Sequence, residues 1–131
     1  MVSSVSIVNK TARRLLSSRR AIQFEEIKNK VLGKSYELSV AFVGPTESAA
    51  ITRQTKHKNK ASNVLSFELS KTSGEIIICP AAAKPYSLAY LFIHGVCHLK
   101  GYKHGATMER IEQKLLAEFR FSIHEQTNRR H

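Results

Sequence analysis

The chain has 131 residues, which suits a single domain over residues 1–131 built around one hydrophobic core. Its hydrophobic fraction of 42% is enough for a folded protein, and no apolar run approaches the ~20 residues that span a bilayer. The first ten residues, MVSSVSIVNK, do not have the pattern of a secretory signal. Two cysteines, Cys79 and Cys97, do not make a disulfide framework, so we expect a reducing cytoplasm and no membrane.

The charge is strongly positive. Lys and Arg number 21 against 10 acids, a formal net charge of +11, and every acid is glutamate. The absence of aspartate excludes a Ser-His-Asp triad and an aspartate-based Mg²⁺ site. Basic residues concentrate within 10–20 and 53–60, and neither segment contains an acid. A positive electrostatic field of this kind attracts polyanions. The charge therefore favours a protein that contacts nucleic acid over one whose basic surface is merely solvated.

The first half of the chain predicts two strands and two helices. A short β-like run around Val5 predicts strand one. Ser17 or Ser18 can cap a helix that ends near Gly33. The apolar side of this helix is predicted to carry Ile22, Phe24, Ile27 and Val31. Residues 36–43 alternate as strand two, 44–46 form a turn, 47–55 suit a short helix, and 56–63 form a polar, basic loop.

The second half predicts two more strands and two more helices. Residues 64–69 and 74–79 form strands three and four around a turn at 70–73. Ser87 caps a helix over 88–101 that is apolar nearly all round, so we expect it to lie buried at the centre. A last helix begins near Thr107, its predicted cap. The fold class is therefore α/β or α+β, a small mixed four-stranded sheet packed with helices.

The segment HGVCHLKGYKH, residues 94–104, carries the main chemical signal. His94 and His98 lie four residues apart on the predicted central helix, so they share one face, one turn apart. Gly101 allows the chain to leave the helix and return with His104. Three neutral imidazoles leave a fourth tetrahedral position open, which is the catalytic pattern for zinc. We therefore predict His94, His98 and His104 as ligands of Zn²⁺, although such ligands also admit nickel, copper or iron.

Two neighbours of these histidines have open interpretations. The spacing is that of the metzincin proteases, whose general-base glutamate is replaced here by Gly95. A helical glycine is tolerated where a substrate or another helix approaches the backbone, but packing alone is equally compatible. Cys97 points partly away from the histidine face, so we expect a core residue rather than a ligand. Cys79 is most simply core, and His57, His124 and His131 are expected to be solvated.

The residues alone predict a metal-dependent hydrolase acting on a polyanion. Zinc can lower the pKa of a bound water to ~7, so the missing protein base does not prevent hydrolysis. Basic groups nearby would hold phosphates and stabilise negative charge as it develops. An RNA substrate also brings its own nucleophile, the 2′-OH.

The motif H-G-x-x-H-x-x-G-Y-x-H resembles the signature of the YbeY family of metal-dependent endoribonucleases. A second block, SNVLSFELSKTSGEIIICPAAA at residues 62–83, is similar to that family's T-[DN]-V-L-S-F-P … G-D-I-x-I-C stretch. The resemblance implies a zinc-dependent, single-strand-selective endoribonuclease that processes the 3′ end of small-subunit rRNA and acts in ribosome quality control. It also implies rRNA and the ribosome or ribosomal proteins as partners.

The family also places an RNA-contacting arginine before the second block. That position is Lys56 here, and Arg53 is close enough in sequence to substitute, so either is a candidate catalytic residue. Lysine keeps the charge but loses the bidentate fork of arginine. Other departures are Ala61 and Glu68, where the family has proline, and Lys103, where it usually has aspartate.

Two rival interpretations differ in class. A zinc peptidase would need the base that Gly95 removes. An RNA- or ribosome-binding assembly factor with a structural metal would use the basic loops alone, without cleavage.

Overall fold

The computed structural model describes residues 4–56 and 62–125, which form four strands and four α-helices. The strands are β1 (Val5–Asn9), β2 (Glu37–Phe42), β3 (Val64–Ser70) and β4 (Ser73–Ile78). The helices are α1 (Ser18–Leu32), α2 (Pro45–Lys56), α3 (Leu88–Lys100) and α4 (Ala106–Phe119), with a 3₁₀ turn at Pro80–Ala82. The predicted fold class is confirmed. A single domain over residues 1–131 stays a prediction.

The four strands make one mixed sheet in the order β1-β2-β4-β3. β1 pairs with β2, and β2 with β4, in parallel, whereas β3 and β4 pair antiparallel. Parallel neighbours need a crossover connection, which α1 supplies between β1 and β2. Val40 of β2 pairs with Ile7 on one side and Ile76 on the other, so the buried centre of the sheet is aliphatic.

Helix α3 is the central helix, as its sequence predicts. Seven of its residues are buried, and it packs on β3, β4, α1 and α4. Phe92 of α3 stacks on Phe24 of α1, with ring centroids 4.0 Å apart and planes 7° from parallel. Ser87 caps α3 by accepting a hydrogen bond from the Tyr90 amide at 3.0 Å. The side chains that α3 carries are therefore held by a rigid, packed element.

Three local predictions are wrong. Ile22 is 61% exposed, because it lies two residues from buried Phe24 and so on the far side of α1. Pro45 does not lie in a turn but opens α2, where its missing N–H would have no partner. Thr107 does not cap α4, because Gly105, at φ 151°, turns the chain into the helix two residues earlier. Of the two serines proposed to cap α1, Ser17 is the one that does.

Candidate metal centre

The structure brings together the three histidines that the sequence singled out. His94 and His98 lie on α3, and His104 lies in the loop before α4. One ring nitrogen from each lies within 4.8 Å of the others. The first two side chains are partly buried and His104 is exposed, so the cluster opens to solvent on the His104 side. The three residues lie close enough to hold a metal ion, as predicted.

Gly101 produces the reversal that brings His104 back. It has φ 113° and ends α3 in the left-handed conformation. Its amide donates to the His98 carbonyl at 3.0 Å, and the Tyr102 amide donates to the Cys97 carbonyl at 3.1 Å. These two bonds form a Schellman motif, which closes the helix and turns the chain back over its last turn. The predicted role of Gly101 is confirmed.

Hydrogen bonds at Nδ1 orient two of the rings. His94 donates from Nδ1 to Glu112 Oε2 at 2.6 Å, and His98 donates from Nδ1 to the Tyr102 carbonyl at 3.0 Å. With Nδ1 protonated in both rings, each Nε2 is left with a free lone pair. The two Nε2 atoms lie 3.2 Å apart. Two nitrogens bound to one tetrahedral zinc at ~2.0–2.1 Å would be roughly 3.3–3.4 Å apart, so this donor set fits zinc.

The sequence analysis missed Glu112 of α4. Its side chain is buried, and besides His94 it contacts the Tyr90 hydroxyl, which donates to Oε1 at 3.5 Å. A signal was present, because Glu112 shares the buried face of α4 with Met108, Leu115 and Leu116. An acid within an apolar stripe needs a partner, since burying an unpaired carboxylate is costly. The partner, however, lies 18 residues earlier in the chain.

Burial shifts the pKa of two side chains at the cluster, His98 and Tyr90. It lowers the pKa of His98, the backbone bond to Tyr102 opposes this, and His94 and His104 lower the pKa further. His98 is therefore neutral near pH 7, the form that binds a metal. Burial, reinforced by Glu112, raises the pKa of Tyr90 to about 12, so its hydroxyl remains a donor.

Cys97 does not face the histidine cluster. Its side chain is completely buried in the main core, and burial, followed by the charge of Glu112, raises the pKa of its thiol to about 12. Cys97 is not among the residues whose ligand atoms lie within 4.8 Å of one another at the cluster. Cys79 is buried in a second apolar cluster with Val43 and Leu65. Both cysteines are free, as predicted.

Packing accounts for Gly95. A Cβ at this position would lie 3.0 Å from Ile76 Cδ1 and 3.0 Å from Ser66 Oγ. Ser66 also donates a hydrogen bond to the Gly95 carbonyl at 3.3 Å. The residue thus faces the sheet, where β3 and β4 approach the backbone of α3. Of the interpretations left open by the sequence, packing is the one observed.

The two candidate catalytic cations lie on α2. Arg53 is exposed, and Lys56 is the last residue of the helix. A catalytic role for either stays a prediction. His124 is exposed, with its ring 5.9 Å from that of Tyr86, whereas His57 and His131 lie outside the described residues. No helix within 4–56 and 62–125 is long and apolar enough to cross a membrane.

The fold and the histidine cluster define a class: a mixed-sheet protein with a three-histidine site formed by its central helix and the loop that follows it. The family model described as Endoribonuclease YbeY matches residues 5–120. The chain therefore belongs to the YbeY family, which confirms the sequence-based assignment and, with it, an enzyme of the nuclease class.

Individual relatives agree with this assignment. The Endoribonuclease YbeY of Chromohalobacter salexigens is 37% identical over 106 residues, covering 64% of this chain and 69% of the relative. That of Bdellovibrio bacteriovorus is 30% identical over 120 residues, covering 76% and 80%. A Thermotoga maritima protein of known solution structure has the same fold, with a TM-score of 0.58 and 21% identity over 88% of this chain and 91% of that one.

Proposed function

We propose that this protein is a zinc-dependent endoribonuclease that hydrolyses phosphodiester bonds in single-stranded RNA at the three-histidine site. The observation that carries the proposal is the pair of Nε2 atoms of His94 and His98, 3.2 Å apart, with both Nδ1 atoms engaged elsewhere. Membership of the YbeY family supports RNA as the substrate. The net charge of +11 supports a polyanion.

Each residue of the site has a defined task in this proposal. His94, His98 and His104 would hold the metal, and Glu112 holds the ring of His94 in the ligating tautomer. When bound, zinc would supply a Lewis acid for the phosphoryl oxygen and lower the pKa of water. Arg53 and Lys56 are proposed to hold RNA phosphates.

No carboxylate acts as general base in this proposal. Gly95 faces the sheet, and Glu112 already accepts hydrogen bonds from His94 and Tyr90. This arrangement favours RNA, whose 2′-OH can attack the adjacent phosphate and expel the 5′ oxygen; hydrolysis of the resulting 2′,3′-cyclic phosphate would complete the reaction. It disfavours peptide hydrolysis, for which a protein base is needed at the position of Gly95.

We propose a cellular role in maturation of the 3′ end of small-subunit rRNA and in ribosome quality control, in the cytoplasm. Partners would be rRNA and the ribosome or its proteins. Membership of the YbeY family supports this role, and the two free, buried cysteines accord with a reducing compartment.

The test is cleavage of a labelled single-stranded RNA with and without chelator. We expect cleavage that disappears with chelator, returns with Zn²⁺ and is reduced to background by His98→Ala and His104→Ala. His104 is exposed, so its variant should fold normally. Gln113→Ala, an exposed change on α4, is the matched control and should cleave normally.

A different result would replace the proposal. If the RNA binds but stays intact under every metal condition, while one equivalent of zinc is present, the protein is an RNA- or ribosome-binding assembly factor with a structural metal. If a generic peptide is hydrolysed and RNA is not, the peptidase interpretation is correct.

A further inference from the structure

A basic cavity lies apart from the histidine cluster. It occupies about 540 Å³ where the first turns of α1 and α3 meet the segment that follows α4. Its lining includes four cationic side chains, Arg13, Arg20, Lys84 and Arg120. Glu125 is the single acid among the lining residues that the structure describes. The cavity therefore concentrates positive charge in a concave surface, where the field on an anion is strongest.

Aromatic rings line the same cavity. The Arg20 guanidinium lies 4.7 Å from the centroid of the Phe121 ring, which is partly exposed. The rings of Tyr86 and His124, which also line the cavity, stack at 5.9 Å and 21°. Flat π-faces combined with cationic side chains are typical of surfaces that bind single-stranded nucleic acid, because bases stack on the rings while phosphates pair with the cations.

A line of rings joins the cavity to the histidine cluster. Tyr86 lies 5.2 Å from Tyr90, and Tyr90 lies 5.8 Å from His94, measured between ring centroids. Tyr90 and His94 lie one turn apart on one face of α3, and Tyr86 immediately precedes the Ser87 cap of that helix. Tyr90 also contacts Glu112, the residue that holds His94. Two ring contacts thus separate the cavity from the proposed site of cleavage.

We propose that this cavity binds a nucleotide of the same single-stranded RNA that the histidine site cleaves. Arg13 and Arg20 contact its phosphates, and the base stacks on the ring pair of Tyr86 and His124. The inference rests on the proposed function, since it names a subsite for that substrate. Single-stranded RNA fits better than an acidic peptide, because a peptide carboxylate uses the cations but not the stacking faces.

The first test compares two double variants of equal charge. Arg13→Gln with Arg20→Gln removes two cavity cations, both exposed. Lys34→Gln with Lys71→Gln removes two exposed lysines that do not line the cavity. Lys34 follows the far end of α1, a helix of 15 residues and about 22 Å. Any effect of net charge alone is therefore the same in both.

The probe is a fluorescein-labelled 2′-O-methyl RNA strand of about 12 nucleotides, within the range of single-strand site sizes. Its affinity for the zinc-loaded full chain is measured by anisotropy over several salt concentrations, with a gel to show that the strand stays intact. We expect the cavity variant to bind about tenfold more weakly. The plot of log K against log salt concentration should become shallower, its slope decreasing in magnitude by roughly 1.4, or 0.7 for each lost phosphate contact. The control should change affinity less than twofold.

The second test isolates stacking. The wild-type protein should bind the 2′-O-methyl RNA strand with about tenfold higher affinity than an abasic strand of equal length, the effect of one stacked base. His124→Ala, an exposed change, should remove most of that preference. If poly-glutamate of equal charge competes as well as unlabelled RNA, the cavity is a general anion or acidic-protein surface and the inference is wrong.

The outcomes separate the two proposals. If wild type cleaves RNA but the cavity variant binds like the lysine control, the subsite is wrong and the nuclease stands. If wild type cleaves no RNA while the cavity variant loses affinity and the control does not, the cavity binds RNA and the nuclease proposal fails.

Discussion

The two faces of α3 differ in what holds them in place. The face that carries Gly95 packs on the sheet so closely that a Cβ added to Gly95 would lie 3.0 Å from atoms of Ile76 and Ser66. The other face presents His94 and His98, whose Nδ1 atoms are held by hydrogen bonds. The first face depends on shape, because a packed core responds to the volume of a side chain. The second depends on hydrogen-bond direction, because only one tautomer leaves Nε2 free to bind a metal.

This difference predicts how the effects of substitutions separate on α3 and at Glu112, which contacts it. Changes on the sheet face should lower the free energy of unfolding and leave metal affinity nearly unaltered. Changes on the histidine face should lower metal affinity and leave the free energy of unfolding nearly unaltered. The four predictions below test that separation, in order of decreasing effect.

Replacing a ligand should have the largest effect. His98→Ala removes one of the three nitrogens, so bound zinc should fall from one equivalent to near none after dialysis. The melting temperature of the metal-free protein should change little, because the side chain is only partly buried. Zinc is counted by elemental analysis, and unfolding is followed by circular dichroism. Full retention of zinc by this variant would mean that the metal is held elsewhere.

Replacing Glu112, the hydrogen-bond partner of His94, should have the next largest effect. Glu112→Gln replaces the carboxylate that accepts the His94 Nδ1 proton at 2.6 Å. Loss of such an outer partner typically lowers metal affinity 10–100-fold, and we expect zinc affinity to fall within that range. Competition with a zinc-sensitive dye measures it. The matched control is Glu109→Gln, an exposed glutamate on the same helix, and an equal loss in both variants would rule out a specific role for Glu112.

On the sheet face, adding one methyl should destabilise the fold. Gly95→Ala places a Cβ 3.0 Å from Ile76 Cδ1. Overpacking costs ~1–3 kcal/mol, and better helix propensity returns about 1 kcal/mol, so the free energy of unfolding should fall by roughly 0–2 kcal/mol. Gly44→Ala, with no atom within 4 Å of the new Cβ, is the control and should show no overpacking cost, only the small penalty of alanine at the start of α2. Denaturant titration measures both, and zinc affinity should not change.

The smallest effect is expected at Cys97. Cys97→Ala removes one buried sulfur from the core, at a cost of about 1 kcal/mol in unfolding free energy, similar to other small core truncations. Zinc content should stay at one equivalent, because the thiol does not reach the histidine cluster. A fall in zinc content without a loss of structure would instead make Cys97 a ligand.

The histidine cluster could be predicted because its determinants are local. The spacing of His94 and His98 fixes one helical face, and Gly101 fixes the reversal within three residues of His104. Glu112 could not be found in this way. It reaches His94 only after α4 packs on α3, a tertiary contact with no local spacing rule.

The fold shows the same division between local and tertiary information. The pattern of apolar residues predicted the elements and the central position of α3, since periodicity is a property of neighbouring residues. It failed at Ile22, where hydrophobic character alone did not show which side of α1 meets the core. It also left Gly95 open, because only the structure shows that the sheet approaches there.

The central claim is that His94, His98 and His104 together hold one zinc ion. A crystal structure of the zinc-loaded protein, with anomalous data collected on both sides of the zinc edge, tests this claim most directly. The account predicts one anomalous peak ~2.0–2.1 Å from one nitrogen of each histidine, with the fourth position open to solvent. A peak at other residues, or no peak at this cluster under saturating zinc, would contradict it.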